Sequence, residues 1–308
     1  MTKAMVFPGQ GSQSVGMQAD LAAEYPVVQQ TYAEASDILE YDLWSLVQTG
    51  PAEKLAATEI TQPAMLTAGT AAFRVWRAAG GAAPDQVAGH SLGEYSALVA
   101  AESVTFADAM KVVIRRSQLM QEAVPAGVGA MAAILGLDDA AVIAACAEAS
   151  VIGIAEPVNF NSPGQVVIAG HNEAIDKAIE LAKAAGARRA LKLPVSVPSH
   201  SSLMIGAGEA LQEALAAAVF TTPNIKVVAA TDGGTYVDAD DIRLRLSKQV
   251  YGPVQWVATI NAIIEGGATT IIECGPGKVL AGLCRRINKS IPARFIDSND
   301  SLQKSLQA

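Results

Sequence analysis

The fold class is indicated most clearly by the segment Gln86-Val87-Ala88-Gly89-His90-Ser91-Leu92-Gly93-Glu94. Residues 86–88 predict a short buried strand, and residues 94–102 predict a helix. Between them, Gly89 to Gly93 fits the pattern G-x-S-x-G, in which glycines let the backbone turn sharply from strand into helix. The Ser91 hydroxyl then projects at the helix N-terminus, where the N–H of Leu92 can face an oxyanion. The stretch predicts an α/β chain with Ser91 as its candidate nucleophile, although G-x-S-x-G also arises by chance.

A second strand, from Ala4 to Phe7, runs into the loop Gly9-Gln10-Gly11-Ser12-Gln13-Ser14. This loop is not a dinucleotide fingerprint, because Ser14 stands where the third glycine is required. It is not a P-loop either, because Met17-Gln18 stands where Lys and Ser or Thr are required. Two interpretations remain: a plain structural turn, or a loop whose backbone N–H groups hold an anion or oxyanion.

The sharp turn from Gly89 to Gly93 is called the elbow. The segment between the glycine loop and the elbow is largely helical, over about residues 17–79. Within it, Thr61-Gln62-Pro63 predicts a helix start, with Thr61 near the N-cap and Pro63 in the first turn.

Residues 127–197 have a pattern of their own. Predicted strands and helices follow the order β-α-β-β-α-β, which is that of a ferredoxin-like unit. The strands are expected at 129–137, 155–161, 165–169 and 190–195, and the helices at 138–149, with Asp138 near the cap, and 172–185. Residues 1–126 and 198–308 share the larger pattern, with further strands at 226–230 and 269–274. We therefore expect a discontinuous large domain with a small domain inserted.

Composition excludes several classes of protein. The 308 residues are 51% hydrophobic and 17% charged, and 22 Lys and Arg against 30 Asp and Glu give a net charge of −8. An acidic surface argues against sequence-independent nucleic-acid binding. No stretch without a charged residue exceeds 16 residues, so we expect no membrane span. Four apolar residues before Pro8 are too few for a secretory signal, so a cytoplasmic protein is expected.

A serine nucleophile needs a base, and the chain has three histidines. His90 adjoins Ser91, where the elbow should turn its side chain away, and His171 fits a cap or surface position. By elimination His200, in Pro198-Ser199-His200, is the base, with a structural histidine as the alternative. No carboxylate stands out as a third member, so a backbone carbonyl could orient the ring. We expect acylation to rise with pH through about the range of a free imidazole.

Arg116 falls near the middle of the apolar stripe of a helix over about residues 106–123, while Arg115 falls at its edge. A core-facing guanidinium is costly unless it meets an anion. Two partners remain open: an internal Asp or Glu, or the carboxylate of a substrate held by a bidentate clamp.

Six motifs occur in an order that resembles the malonyl-CoA:acyl-carrier-protein transacylase family of bacterial type II fatty acid synthesis. They are Phe7-Pro8-Gly9-Gln10-Gly11-Ser12-Gln13, Gly89-His90-Ser91-Leu92-Gly93, Val158-Asn159-Phe160-Asn161-Ser162-Pro163-Gly164, Pro198-Ser199-His200, Tyr251-Gly252-Pro253-Val254-Gln255-Trp256 and Glu273-Cys274-Gly275-Pro276-Gly277. The resemblance covers nearly the whole chain. It implies an α/β-hydrolase-like large domain with an inserted ferredoxin-like small domain.

The resemblance also implies catalytic roles. Ser91 would be the acylated nucleophile and His200 its general base and acid. The backbone carbonyl of Gln249 would orient His200, and the N–H groups of Gln10 and Leu92 would form the oxyanion hole.

Substrate binding follows in the same way. Arg116 would bind the malonyl carboxylate, and Asn159 and Asn161 would line the cleft. The implied partners are malonyl-CoA and acyl carrier protein, with no nucleic acid, membrane, metal or cofactor, and we expect a monomer. The carrier is acidic, so exposed basic residues should receive it; the candidates are Lys278, Arg285, Arg286 and Lys289.

Three alternatives compete with malonyl transfer. The chain could load another extender unit in polyketide synthesis, or it could be an α/β-hydrolase-type thioesterase. A thioesterase of that class would want an HGGG-type oxyanion motif, which is absent. It could also be an inactive carrier-binding module, against which the joint presence of Ser91, His200 and Arg116 argues.

Overall fold

The computed structural model describes residues 2–125, 127–195 and 197–307. The strands in these ranges are β1 (Lys3–Phe7), β2 (Gln86–Gly89), β3 (Gly129–Leu135), β4 (Ala155–Ser162), β5 (Gln165–His171), β6 (Arg189–Lys192), β7 (Lys226–Val228), β8 (Thr270–Cys274) and β9 (Ala293–Ile296). The α-helices are α1 (Ala19–Glu24), α2 (Val27–Leu39), α3 (Leu43–Thr49), α4 (Ala52–Ala56), α5 (Thr58–Ala78), α6 (Gly93–Ala100), α7 (Phe106–Glu122), α8 (Asp139–Ala149), α9 (Asn172–Ala184), α10 (Ile205–Ala217), α11 (Ala239–Gln249), α12 (Trp256–Glu265), α13 (Val279–Ile287) and α14 (Asn299–Leu306). None of the helices described is long and apolar enough to cross a membrane.

Five strands form a parallel sheet in the order β7-β2-β1-β8-β9. At its centre, Val6 of β1 lies opposite Ala88 of β2 and Glu273 of β8. Residues 4–7 are completely buried, because α5, α6 and α7 cover one face of the sheet while α12 and α13 cover the other. Burial on both faces explains why these strands are short apolar runs without alternation. The sheet confirms the predicted α/β class.

The edge strand β9 was not predicted. It pairs with β8, with Arg294 opposite Ile272. Only Ala293 and Ile296 of its four residues are buried, and Pro292 precedes it. A four-residue edge strand with a central arginine offers no apolar run that a sequence pattern could detect.

Helix α5 begins at Thr58, so the predicted start at Thr61-Gln62-Pro63 is wrong by three residues. Pro63 lies inside the helix, where it lacks the N–H that would bond the Glu59 carbonyl. The helix continues through this point because residues 61–72 are buried between α2 and α7. Tertiary packing overrides the local start signal.

The other four strands form a separate antiparallel sheet in the order β4-β5-β3-β6. Helices α8 and α9 pack on one of its faces, against Ala132 and Ile134. Helix α8 begins as predicted, because the Asp138 side chain accepts the N–H of Ala141 at 2.8 Å. The opposite face carries a small apolar cluster that includes Met131 and Val158.

Hydrogen bonds join the antiparallel sheet to the segment before α12 and to α13. The N–H of Phe160 donates to the Val254 carbonyl at 2.9 Å, and the N–H of Val254 donates to the Val158 carbonyl at 2.8 Å. Arg286 of α13 donates to Gln165 Oε1 of β5 at 2.5 Å. These contacts hold the antiparallel sheet beside the carboxyl ends of the parallel strands, and a cleft lies between them.

Candidate active site

Ser91 lies at a sharp turn between β2 and α6. Its φ is 52°, in the left-handed region that side-chain-bearing residues rarely adopt. The turn requires glycine on both sides. A Cβ on Gly89 would lie 1.9 Å from the carbonyl carbon of Gly93, and a Cβ on Gly93 would lie 2.0 Å from the carbonyl oxygen of Phe7. The two glycines therefore let the elbow pack against β1 and place the Ser91 hydroxyl at the beginning of α6.

The structure brings His200, the candidate base, next to Ser91. His200 Nε2 lies 2.8 Å from Ser91 Oγ, and His200 Nδ1 lies 2.7 Å from the backbone carbonyl oxygen of Gln249. A carbonyl oxygen can only accept, so Nδ1 carries the proton and Nε2 is free to accept from the serine hydroxyl. The three residues form a chain of hydroxyl, imidazole and carbonyl. In this chain the carbonyl replaces the usual carboxylate.

The surroundings of His200 keep its ring neutral. Burial and the positive charge of Arg116 lower the pKa of His200 to about 3, although the Gln249 carbonyl opposes the shift. The base form therefore predominates throughout the neutral range. The lowered pKa of the buried ring predicts instead that acylation does not follow the titration of a free imidazole.

Arg116, on α7, is 1% exposed and points into the same site. Its Nη1 donates to Gln62 Oε1 at 2.6 Å, and its Nη2 donates to Gln249 Oε1 at 3.0 Å and to Ser91 Oγ at 3.3 Å. Burial lowers the pKa of Arg116, but a guanidinium stays charged in proteins.

No acidic side chain forms a salt bridge with Arg116 within the described ranges. Of the two partners left open by the sequence, a direct internal Asp or Glu is therefore not found there. Two amide oxygens hold the guanidinium instead. The arrangement presents a buried positive charge beside the nucleophile.

These groups border a cleft of about 250 Å³ between the two sheets. It is lined by Gln10, Gly11, Gln13, Ala56, Thr58, Gln62, His90, Ser91, Leu92, Arg116, Met120, Met131, Asn159, Leu193, Pro194, Val195, Val197, Ser199 and His200. No cluster of His, Cys, Asp and Glu able to hold a metal ion occurs in the part of the chain that the structure describes.

The glycine loop after β1 lies against the elbow. A Cβ on Gly9 would be 2.5 Å from the His90 carbonyl oxygen and 3.6 Å from the Leu92 nitrogen. This close approach brings Gln10, the next residue, to the same cleft as Leu92. Both residues predicted to supply the oxyanion hole therefore border the nucleophile.

The two asparagines of β4 take different positions. Asn159 lines the cleft, and its buried Oδ1 has no hydrogen-bond partner within the described ranges. Asn161 is absent from the described lining; its Oδ1 lies 2.8 Å from His90 Nε2, and the His90 ring also meets the Trp256 ring edge-on at 5.3 Å. Irregular pairing between β4 and β5 follows Phe160, so the two asparagines do not share one face as regular alternation would require.

Sequence reasoning missed three polar residues at this site: Gln62, Glu94 and Tyr236. Gln62 lies on α5 and holds Arg116. Glu94 is fully buried in α6, and Tyr236 donates to it at 2.8 Å. Glu94 alone left a detectable signal, since it is the only charged residue in the apolar helix GEYSALVA.

Known proteins resemble this chain over nearly its whole length. Residues 4–298 match the family model of the acyl transferase domain. Over 304 residues the chain is 53% identical to the malonyl CoA-acyl carrier protein transacylase of Escherichia coli, covering 99% of this chain and 98% of that protein. The crystal structure of an acyl-carrier-protein S-malonyltransferase from Burkholderia pseudomallei is 52% identical, with a TM-score of 0.98 and full coverage of both chains.

A third relative is a malonyl-transacylase solved in complex with its type II polyketide synthase acyl-carrier protein. It is 51% identical with a TM-score of 0.98, covering 100% of this chain and 99% of that chain. The matches extend over nearly the whole chain. The chain therefore belongs to the acyl transferase family, and within it to the malonyl-CoA:acyl-carrier-protein transacylases.

Proposed function

We propose that this chain transfers the malonyl group of malonyl-CoA to the phosphopantetheine thiol of acyl carrier protein, for fatty acid biosynthesis, through a malonyl ester on Ser91. The observation that carries the proposal is the meeting of three groups in one cleft. Ser91 Oγ lies 2.8 Å from His200 Nε2 and 3.3 Å from Arg116 Nη2. A nucleophile, its base and a receptor for a carboxylate are therefore adjacent.

In the first half-reaction, Ser91 Oγ attacks the thioester carbonyl carbon while its proton passes to His200 Nε2. The carbonyl oxygen becomes an oxyanion, for which the N–H groups of Gln10 and Leu92 are the assigned donors. The C–S bond then breaks, the CoA thiol leaves with the proton from His200, and malonyl-Ser91 remains.

The second half-reaction runs the same steps in reverse with a new thiol. The phosphopantetheine thiol gives its proton to His200 Nε2 and its sulfur attacks the ester carbonyl carbon. Collapse of the oxyanion breaks the bond to Ser91 Oγ, which recovers the proton from His200. The Gln249 carbonyl keeps the ring in the required tautomer throughout.

Arg116 is assigned the malonyl carboxylate, and its position couples binding to basicity. The charge of Arg116 is one cause of the lowered pKa of His200. A carboxylate paired with the guanidinium offsets that charge, so a malonyl substrate raises the pKa of its own base. An acetyl substrate cannot do this. Asn159, which lines the cleft, is assigned a further polar contact with substrate.

The finer architecture belongs to the same proposal. We assign residues 127–197 to a ferredoxin-like small domain inserted into an α/β-hydrolase-like large domain of residues 1–126 and 198–308. The strand order β4-β5-β3-β6, with α8 and α9 on one face, supports the first assignment. The elbow between β2 and α6 in a parallel sheet supports the second. A cytoplasmic location fits the fatty acid synthesis role.

For carrier docking we assign the exposed cations at and beside α13, which are Lys278, Arg285, Arg286 and Lys289. They stand out against a net charge of −8, and an acidic carrier would be attracted to them. Two of the four side chains also donate hydrogen bonds within the chain: Arg285 donates to the Ala293 carbonyl at 2.6 Å, and Arg286 donates to Gln165.

Two other functions remain to be separated by experiment. The relative solved with a polyketide synthase carrier favours transfer to such a carrier as the second candidate. A thioesterase would release malonate rapidly from malonyl-CoA without any carrier.

Intact-protein mass spectrometry after incubation with mixed acyl-CoAs tests the proposal. We expect an adduct of malonyl mass that disappears when carrier protein is added and reappears on the carrier. An acetyl adduct in its place, or free malonate without an adduct, would refute malonyl transfer.

A further inference from the structure

The side chain of Gln249 links three parts of the active site. Its Nε2 donates to the backbone carbonyl oxygen of Ser91 at 2.9 Å and also to Glu94 Oε2. Its Oε1 accepts from Arg116 Nη2 at 3.0 Å. Two acceptors face the nitrogen and one donor faces the oxygen, so only one orientation of the amide satisfies all three contacts.

Glu94 accepts a hydrogen bond from this amide and fixes its orientation. It is fully buried, and every partner it has in the described chain is a donor. Its Oε1 accepts the N–H of Ala230 at 3.0 Å and the hydroxyl of Tyr236 at 2.8 Å, while Oε2 accepts from Gln249. Burial raises the pKa of Glu94, and the three donors and the nearby charge of Arg116 oppose that rise. Three donors and no acceptor are the surroundings that suit an ionised carboxylate.

We propose that Glu94 is a positioning residue for substrate selection, acting through the Gln249 amide to hold the Arg116 guanidinium where it meets the malonyl carboxylate. This inference rests on the proposed function and names a determinant of its specificity. Among the described residues, the Glu94 carboxylate forms no hydrogen bond with Arg116 and is not part of the cleft lining; the Gln249 amide lies between the two.

The interposed amide explains how the site keeps a buried cation available. A carboxylate in direct contact with Arg116 would neutralise it and compete with the substrate. Because Gln249 separates the two groups, the negative charge of Glu94 offsets part of the cost of burying the Arg116 guanidinium. Arg116 Nη2 still faces Ser91 Oγ. The competing interpretation is that Glu94 merely ties α6 to the segment after β7 through Ala230 and Tyr236.

The test is Glu94→Gln, with Tyr236→Phe as the matched control. A glutamine has the same shape, but its NH₂ must face either the Gln249 amide or the donors of Ala230 and Tyr236. Facing Gln249, that NH₂ would turn the Gln249 amide and set its nitrogen against Arg116. Tyr236→Phe removes one donor from the same carboxylate and leaves the contact with Gln249 intact.

The readout is kcat/KM for acylation by malonyl-CoA and by acetyl-CoA, because a merely structural role would lower both alike. For Glu94→Gln we expect the malonyl-to-acetyl ratio to fall about tenfold to one hundredfold, the range for a hydrogen bond to a charged group. For Tyr236→Phe we expect the ratio to stay within about threefold of the wild type.

A ratio unchanged in Glu94→Gln, or one lost equally in Tyr236→Phe, would overturn the inference. Circular dichroism and Tm establish that each variant is folded. If Glu94→Gln does not fold, Glu94→Asp takes its place with the same two outcomes, since it keeps the charge but withdraws it from Gln249. A wild type that forms no malonyl adduct would instead refute the proposed function, before any ratio is measured.

Discussion

Replacing Arg116 by alanine separates substrate recognition from catalysis. Malonyl-CoA and acetyl-CoA share the thioester, the pantetheine arm and the nucleotide, and they differ in one carboxylate. The guanidinium is 1% exposed, lies 3.3 Å from Ser91 Oγ and forms no salt bridge with any residue the structure describes. Its removal should therefore affect the substrate that carries a carboxylate.

The size of the effect follows from the burial of the pair. Two unit charges about 4 Å apart attract by roughly 4 kcal/mol at an effective dielectric constant near 20. Removing one partner of such a pair typically costs about 2–5 kcal/mol. At about 1.4 kcal/mol per tenfold change, we expect a loss of roughly 30-fold to several thousandfold in kcat/KM for malonyl-CoA. Acetyl-CoA lacks the contact, so its kcat/KM should be unchanged or improved.

The assay measures kcat/KM for both thioesters in the wild type, in Arg116→Ala and in Arg115→Ala. Arg115 is the matched control, because it is the same residue type one position earlier on α7 but is exposed. Its variant should behave as the wild type does. Equal losses for both thioesters in a folded Arg116→Ala would show that Arg116 serves structure or CoA binding, and the clamp would be refuted.

Four further predictions concern the elbow and the base. Ser91→Ala should abolish the acyl adduct with an unchanged circular dichroism spectrum, and a malonyl adduct persisting elsewhere would contradict the assignment. The acylation rate should be flat from pH 5 to 8, because burial and Arg116 lower the pKa of His200 to about 3 and the base is already deprotonated; a rise centred near pH 6.5 would contradict this. Arg116→Ala removes one of the causes that lower the pKa of His200. The acidic decline of the rate of acylation by acetyl-CoA should therefore occur at a higher pH than in the wild type. Gly93→Ala should yield little folded protein in expression and thermal-melt assays, because its Cβ would lie 2.0 Å from the Phe7 carbonyl oxygen.

Local backbone chemistry made much of the fold predictable. The strands β1, β2 and β8 are short apolar runs because both faces of their sheet are covered. Asp138 indicated the start of α8, because its side chain caps the helix by accepting a backbone N–H of the same helix. Helix α5 and strand β9 were harder, since α5 continues through Pro63 by packing between neighbours and β9 exists only by pairing with β8.

For the active site, sequence patterns predicted the residues whose chemistry is recognisable from their neighbours in the chain. Glycines at 89 and 93 mark an elbow because no other residue fits, and Arg116 stands out because a cation in an apolar stripe needs an anion. Gln249 and Gln10 came only from family resemblance.

Contacts between residues that are distant in the chain depend on the folded structure. Glu94 and Tyr236 are 142 residues apart in the chain, and the Gln249 amide reaches Glu94 across 155 residues. Nothing in the sequence around these three residues indicates that they are hydrogen-bonded, because a buried hydrogen bond depends on where the folded backbone places each group. The pKa of His200 likewise depends on the fold, because burial and the neighbouring Arg116 lower it.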